Sequence, residues 1–192
     1  MKKIGFLTIA ASVMLLSFKA LEPSTWSLDK GHAKLGFSIS HMMISEVEGN
    51  FKNFDATINA TKEDFSDAVV TMTADVNSIN TDNEKRDGHL KSPDFFDAAK
   101  FPNISFKSTS FKKVDATNYK VTGDLTMHGV TKAVELNAMA KTGMNPMSKK
   151  MVGGFKITGK IKRADFNLGA SMPAAMLGEE VEILANAEFA KN

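Results

Sequence analysis

Phe155-Lys156-Ile157-Thr158-Gly159-Lys160-Ile161-Lys162 decides the fold class. Every odd position is apolar or glycine, and every even position is lysine or threonine. A helix of this sequence would scatter its lysines around the circumference. A strand puts them all in water and turns the other face to a core. The final segment repeats the period: Val181, Ile183, Ala185, Ala187 and Phe189 alternate with Glu180, Glu182, Leu184, Asn186 and Glu188, and Leu184 alone is out of phase.

The same period of two marks further strands upstream. Ala33, Leu35, Phe37 and Ile39 oppose Lys34, Ser38 and Ser40. Phe54, Ala56 and Ile58 share a face, while Phe51 falls on the other parity, which predicts a bulge or bend near Asn53. Val70, Met72, Ala74 and Val76 follow, then Ile104 and Phe106, then Tyr119, Val121, Gly123, Leu125 and Met127, then Val134, Leu136 and Ala138. With residues 151–162 and 180–189 the count is eight strands, mostly joined by short polar turns. Such neighbours must be antiparallel, because parallel ones need long crossovers. Eight strands with one apolar face each make a closed barrel or a two-sheet sandwich, and alternation does not choose between them.

Two stretches break the period. Residues 81–99 are dense in charge and contain the Phe95-Phe96 pair; Thr81 or Asp82 is the expected cap of a short helix, with Pro93 as its latest end. Residues 170–178 form a small apolar insert. Inserts in a meander of strands are where lids and binding loops lie.

Composition narrows the function classes. The chain has 192 residues, 43% hydrophobic and 24% charged, which suits one globular domain. Lys2 and Lys3 precede an apolar run from Ile4 to Phe18, the pattern of a secretory signal peptide. Residues 1–20 are therefore expected to be the signal, with Ala20 or Ser17 before the cut, and residues 26–190 the folded domain. The other reading is an uncleaved anchor, although the run is short of the roughly 20 apolar residues that span a membrane. Without Lys2, Lys3 and Lys19 the domain carries 21 basic against 22 acidic residues, which argues against a nucleic-acid partner. The absence of cysteine excludes disulfides, thiolate metal sites, cysteine nucleophiles and a lipidated N-terminus.

Motifs for chemistry are missing. His32, His41, His89 and His128 form no pair at metal-ligand spacing, so a metal site would have to be assembled across strands. Gly36-Phe37-Ser38-Ile39-Ser40 lacks the second glycine of a nucleophile elbow, and Gly153-Gly154 leads into a strand rather than a helix. No catalytic residue, metal or cofactor is expected. Ten of the twelve methionines lie after residue 20, which suits either a pocket for a variable chain or simple gap filling.

Several ordered motifs carry a resemblance. Trp26-Ser27-Leu28-Asp29 with His32 and Phe37, Gly49-Asn50-Phe51 with Phe54-Asp55, and Thr81 to Asp87 with His89-Leu90 come first. Ser92-Pro93-Asp94-Phe95-Phe96-Asp97, Phe101-Pro102 with Ile104 and Phe106-Lys107-Ser108, Gly123 to Thr126, His128 to Lys132, and Arg163 with Asp165-Phe166 continue it. From about Trp26 to Phe189 the chain resembles the YceI-like family. The resemblance implies an all-β, eight-stranded antiparallel, lipocalin-like barrel with a short helical insert. It also implies a polyisoprenoid or similar lipid in the lumen, export to the periplasm, and no catalytic residues to carry over. Ligand identity does not transfer, because family members hold different apolar chains.

In such a barrel the lumen lining is expected to be Leu35, Phe37, Ile39, Val70, Met72, Val76, Ile104, Phe106, Val121, Leu125, Met127, Val134, Leu136, Phe155, Ile157, Ile161, Val181 and Ile183. His41 shares their parity. Ala74, Gly123 and Gly159 are expected to keep the channel open. Residues 81–97 are expected to cap one end, with Phe95 and Phe96 packed inward. There Arg86, His89 and Lys91 either meet an anionic headgroup, or Arg86 and Asp87 hold the loop by local ion pairs. Three functions fit: a periplasmic carrier of a long isoprenoid or other apolar lipid, making passing contact with a membrane; a lipid isomerase or hydrolase using His41; or a ligand-free stress-response or adhesion barrel filled by its own side chains. The sequence does not specify the oligomeric state.

Overall fold

The computed structural model describes residues 22–192, so the signal expected over residues 1–20 lies outside the described residues. Strand β1 (Ser24–His41) ends in a three-residue tip and returns as β2 (Ser45–Phe51). The strand is interrupted at Lys52-Asn53, where the odd parity of Phe51 predicts an irregularity, and resumes as β3 (Phe54–Ala60). After β4 (Val69–Asp75), a 3-10 turn leads to the two-residue β5 (Ile79–Asn80), and helix α1 (Glu84–Leu90) follows. The remaining strands are β6 (Asn103–Lys113), β7 (Asn118–Met127), β8 (Val130–Met144), β9 (Met151–Lys162) and β10 (Leu177–Lys191).

Closure settles barrel over sandwich. Antiparallel pairing runs β1-β3-β4-β6-β7-β8-β9-β10, and β10 pairs back onto β1, giving a closed eight-stranded ring. β2 and β5 extend the sheet beyond β1, on the far side from β10. Two bulges switch which parity faces inward. In β1 the register shifts between Asp29 and Ala33, so Trp26 and Leu28 point in on even numbers while Leu35, Phe37 and Ile39 do so on odd ones. In β6 it shifts between Ser108 and Ser110, which brings Phe111 onto the side of Ile104 and Phe106.

Three expectations need correction. Alternation carried past the end of β4 puts Val76 in the lumen. Instead, the Asp75 side chain accepts from Asn77 N–H and starts a 3-10 turn, which leaves Val76 1% exposed in the solid core and off the cavity wall. Neither Thr81 nor Asp82 caps α1. Asp82 is left-handed at φ 57°, and the Asn83 side chain accepts from Arg86 N–H at 3.0 Å as the N-cap. The inward glycines do not hold the channel open either. A Cβ on Gly159 would meet Leu136 at 2.4 Å and one on Gly123 would meet Phe106 at 2.5 Å, so large neighbours already lie over them. Ala74 is fully buried.

The ends differ. At the end holding β1's start and β10's finish, the loop at residues 61–68 sends Phe65, 1% exposed, into the barrel. Its ring meets Trp26 and Phe155 at 5.1 Å each, and Phe155 meets Phe189 at 5.5 Å. Asp67 locks the loop by accepting from Thr61 and Lys62; the Asp64 carbonyl accepts from Tyr119 Oη at 2.8 Å, and its carboxylate pairs with Lys113 at 3.0 Å. The opposite end carries the β1–β2 tip, α1 and the segment between β9 and β10.

Candidate functional site

The inward faces of β1, β3, β4 and β6–β10 enclose an apolar cavity of about 420 Å³, within the roughly 300–1,000 Å³ usual for small-ligand sites. Leu35, Phe37, Ile39, Val70, Met72, Ile157, Val181 and Ile183 all point inward yet are only partly buried, because they face this space. Ile104, Phe106, Val121, Leu125, Met127, Leu136, Phe155 and Ile161 are buried beneath its wall, and Val134 completes the set that alternation places there.

The wall also holds residues outside the expected set. Leu28 and Phe111 lie beyond the two bulges. Ala185, Ala187 and Phe189 continue β10's inward face past Ile183, and Phe51, Phe54, Ala56 and Ile58 supply the β2–β3 side. Phe95 and Phe96 are buried, as the capping expectation requires: Phe96 meets Phe51 at 5.9 Å, and Phe95 stacks edge-on with His89 at 5.0 Å.

His41, Arg86, His89 and Arg163 are the ionisable side chains on the wall, and all four belong to the same end. Arg86 is held by Thr81, its Nε donating to the Thr81 hydroxyl at 2.8 Å and its Nη2 to the Thr81 carbonyl at 2.7 Å. Asp87 accepts from Thr81 N–H and hydroxyl at 2.9 and 2.6 Å. Arg86 and Asp87 thus hold the loop through a shared buried threonine rather than by pairing with each other. The His89 imidazole lies 3.6 Å from the Asp94 carboxylate and is half exposed.

Arg163 is the residue that alternation misses. Only 7% exposed, it donates from Nε to Gly178 carbonyl at 2.9 Å, from Nη1 to Leu168 and Gly169 at 3.2 and 2.6 Å, and from Nη2 to Met172 and Leu177 at 2.6 and 3.3 Å. One guanidinium therefore ties together five carbonyls from the two ends and the middle of the segment leading into β10, and it has no carboxylate partner among the described residues. A sequence signal did exist: residues 168–178 offer almost no polar side chains to satisfy their own backbone, and an arginine stands just upstream.

The cavity reaches the surface at this end, where Met176 and His89 are each about half exposed and also lie on its wall. Outside the barrel, a groove of about 730 Å³ over β1, β2 and β8–β10 is charged; in it Lys160 bridges Glu182 at 2.9 Å and Glu180 at 3.5 Å. That chemistry does not suit an apolar chain.

Pairing of β1 with β10 also brings Asp29, His32 and Glu188 together with ligand atoms within 4.8 Å, the cross-strand kind of assembly that histidine spacing cannot reveal. All three are exposed, and the His32 ring nitrogen sits 2.9 Å from the Asp29 carboxylate. That bond raises the His32 pKa and lowers that of Asp29, as expected of a surface ion pair.

Comparison with known proteins agrees with this geometry. The sequence model described as YceI-like domain matches residues 26–189. UPF0312 protein SA2479 of Staphylococcus aureus is 40% identical over 174 residues, covering 86% of this chain and 97% of that protein. The solved structure of the Campylobacter jejuni YCEI protein superposes with a TM-score of 0.71 at 31% identity, over 80% of this chain and 90% of that one. A polyisoprenoid binding domain from Saccharophagus degradans superposes with a TM-score of 0.61 at 17% identity, over 87% and 98%, which is a likeness of fold.

Proposed function

The chain belongs to the YceI-like family, and from that premise we propose that it is a carrier that holds one long isoprenoid or similar apolar lipid chain in its lumen. The observation that carries this reading is the continuous apolar cavity of about 420 Å³ in a barrel closed at one end by the Phe65 plug. A barrel filled by its own side chains, as the stress-response reading requires, would have no such space. The name given to the Saccharophagus degradans domain supports the ligand class. The basic and apolar leader at residues 1–20 supports export to the periplasm.

Burial supplies the affinity. Each methylene moved from water into the lumen is worth roughly 0.8 kcal/mol, so twenty carbons gain on the order of 15 kcal/mol gross. Ordering of the chain and of the methionines offsets much of that, leaving binding in the sub-micromolar range. A wall of this kind selects slimness and length. The polar groups that could read a headgroup, Arg86 and His89, stand only at the mouth.

We read the site as binding without turnover. His41 is on the cavity wall, but its ring has no hydrogen-bond partner among the described residues, and a general base needs a group to orient it. Native mass spectrometry of the purified protein should show one added mass, and extraction should release an apolar lipid. Ala185→Phe, which projects a ring into the open part of the lumen, should remove that mass from a folded barrel. Unchanged occupancy would rule out the lumenal site. Lipid conversion by the parent that disappears in His41→Ala would replace the carrier by an enzyme.

A further inference from the structure

The two residues after His41 are both in the left-handed backbone region, Met42 at φ 52° and Met43 at φ 58°. Tight hairpins that need two such residues ordinarily use Asn and Gly, which meet little steric penalty there. The β7–β8 hairpin follows this at its second position, where Gly129 has φ 74° beside His128 at φ 51°. Two methionines in that conformation are a local conflict that folding alone does not explain.

The tip is also apolar and open to water. Met42, Met43 and Ile44 are 47%, 76% and 86% exposed. Met42 N–H donates to the Met176 carbonyl at 3.0 Å, and Met176 is 48% exposed, with exposed Pro173, Ala174 and Ala175 before it. The tip and the insert thus form one continuous apolar ridge. His41 at the base of the tip and Met176 within the ridge both line the cavity, so the ridge is the rim of its opening.

We propose that the ridge of Met42, Met43, Ile44 and Met176 docks the barrel mouth onto a phospholipid bilayer, so that the lipid chain passes between bilayer and lumen without crossing water. The purpose of this docking rests on the carrier reading above; its geometry does not. A bilayer fits better than a protein groove for two reasons. Flexible, unbranched methionines on a narrow convex tip suit a fluid apolar phase rather than one fixed complementary surface. The ridge also adjoins a cavity whose contents are unfavourable in water at every methylene. The charges that follow on both strands, Glu46 and Glu48 on β2 and Glu179 and Glu180 on β10, are exposed and acidic, so neutral rather than anionic lipid is the matching surface.

The chain's single tryptophan, Trp26, is 5% exposed at the plugged end, which leaves the tip free for a reporter. Ile44→Trp in the full chain, mixed with phosphatidylcholine vesicles carrying brominated acyl chains, should show a blue-shifted emission that the bromines quench. Trp26 in the parent should not be quenched. Insertion through residues 1–20 would not bring residue 44 into the bilayer, so absence of quenching overturns the proposal. So does a blue shift that grows with protein concentration without vesicles, which would give the ridge to a second copy of the chain. Met42→Asn with Met43→Gly suits the turn better and should melt no lower than the parent. The same pair should slow transfer of a fluorescent polyprenol from vesicle to barrel by roughly tenfold; an unchanged rate also overturns the proposal. Quenching at residue 44 with no lipid found in the barrel would sink the carrier reading and leave the docking surface standing.

Discussion

The two ends of the barrel are held together by opposite means. At the plugged end, Phe65, Trp26, Phe155 and Phe189 come from separate parts of the chain and meet ring against ring. At the mouth, one guanidinium holds the carbonyls of an insert that has few side chains to pack. Aromatic packing resists opening at every contact, because each ring displaced exposes a large apolar area. A clamp made of hydrogen bonds can exchange its partners for water at modest net change. The difference predicts that the mouth opens more readily than the plug.

The plug gives the largest expected effect. Phe65→Ala removes a 1%-exposed ring from between Trp26 and Phe155 and should lower stability by about 4 kcal/mol, measured by urea unfolding. Hydrogen exchange should quicken in residues 61–68 and stay unchanged in residues 167–177. Equal loosening of both ends would break the comparison.

Arg163→Leu tests the other side. It strips the donor from the carbonyls of Leu168, Gly169, Met172, Leu177 and Gly178 and should cost about 3 kcal/mol. Exchange should quicken in residues 167–177 while the plug keeps its protection. Arg163→Lys should recover little, since a single ammonium lacks the planar fork that reaches carbonyls on several sides. A full recovery would mean that charge alone, rather than the fork, holds the insert.

How far the sequence was legible follows from the same contrast. Period-two alternation reads any strand that packs one face, so the strand set and most of the cavity wall were visible in residues such as Ile157, Ile161, Val181 and Ile183. It fails wherever the backbone slips by a residue. The bulges near Gly31 and Thr109 hid Leu28 and Phe111, and the 3-10 turn after Asp75 made Val76 look like a wall residue. It is silent about side chains that act on backbone: Arg163 reads as one more charge at a strand's end until the fold brings five carbonyls around it. Closure into a ring was equally out of reach of local pattern, because it depends on β1 meeting β10 across most of the chain.

The smallest expected effect is a difference in acid sensitivity between the ends. Ser66 and then Lys113 hold the Asp64 carboxyl down at about 2, and Thr61 lowers that of Asp67. Both carboxylates brace the plug loop, whereas no carboxylate takes part in the Arg163 clamp, whose acceptors are all backbone carbonyls. A carboxyl whose folded pKa lies below its unfolded value near 3.8 stabilises fully above that value and loses its contribution as pH falls toward about 2. Within that window, exchange in residues 61–68 should accelerate relative to residues 167–177. Other carboxylates titrate there too, so the informative quantity is the difference between the parent and Asp64→Asn. The variant should exchange slightly faster than the parent in residues 61–68 at neutral pH and show a smaller acceleration on acidification. Because Asp64 is solvent-exposed, the change should be slight and should shrink further in high salt. An equally strong acid response of the mouth would place a titrating group in the clamp and remove this distinction between the ends.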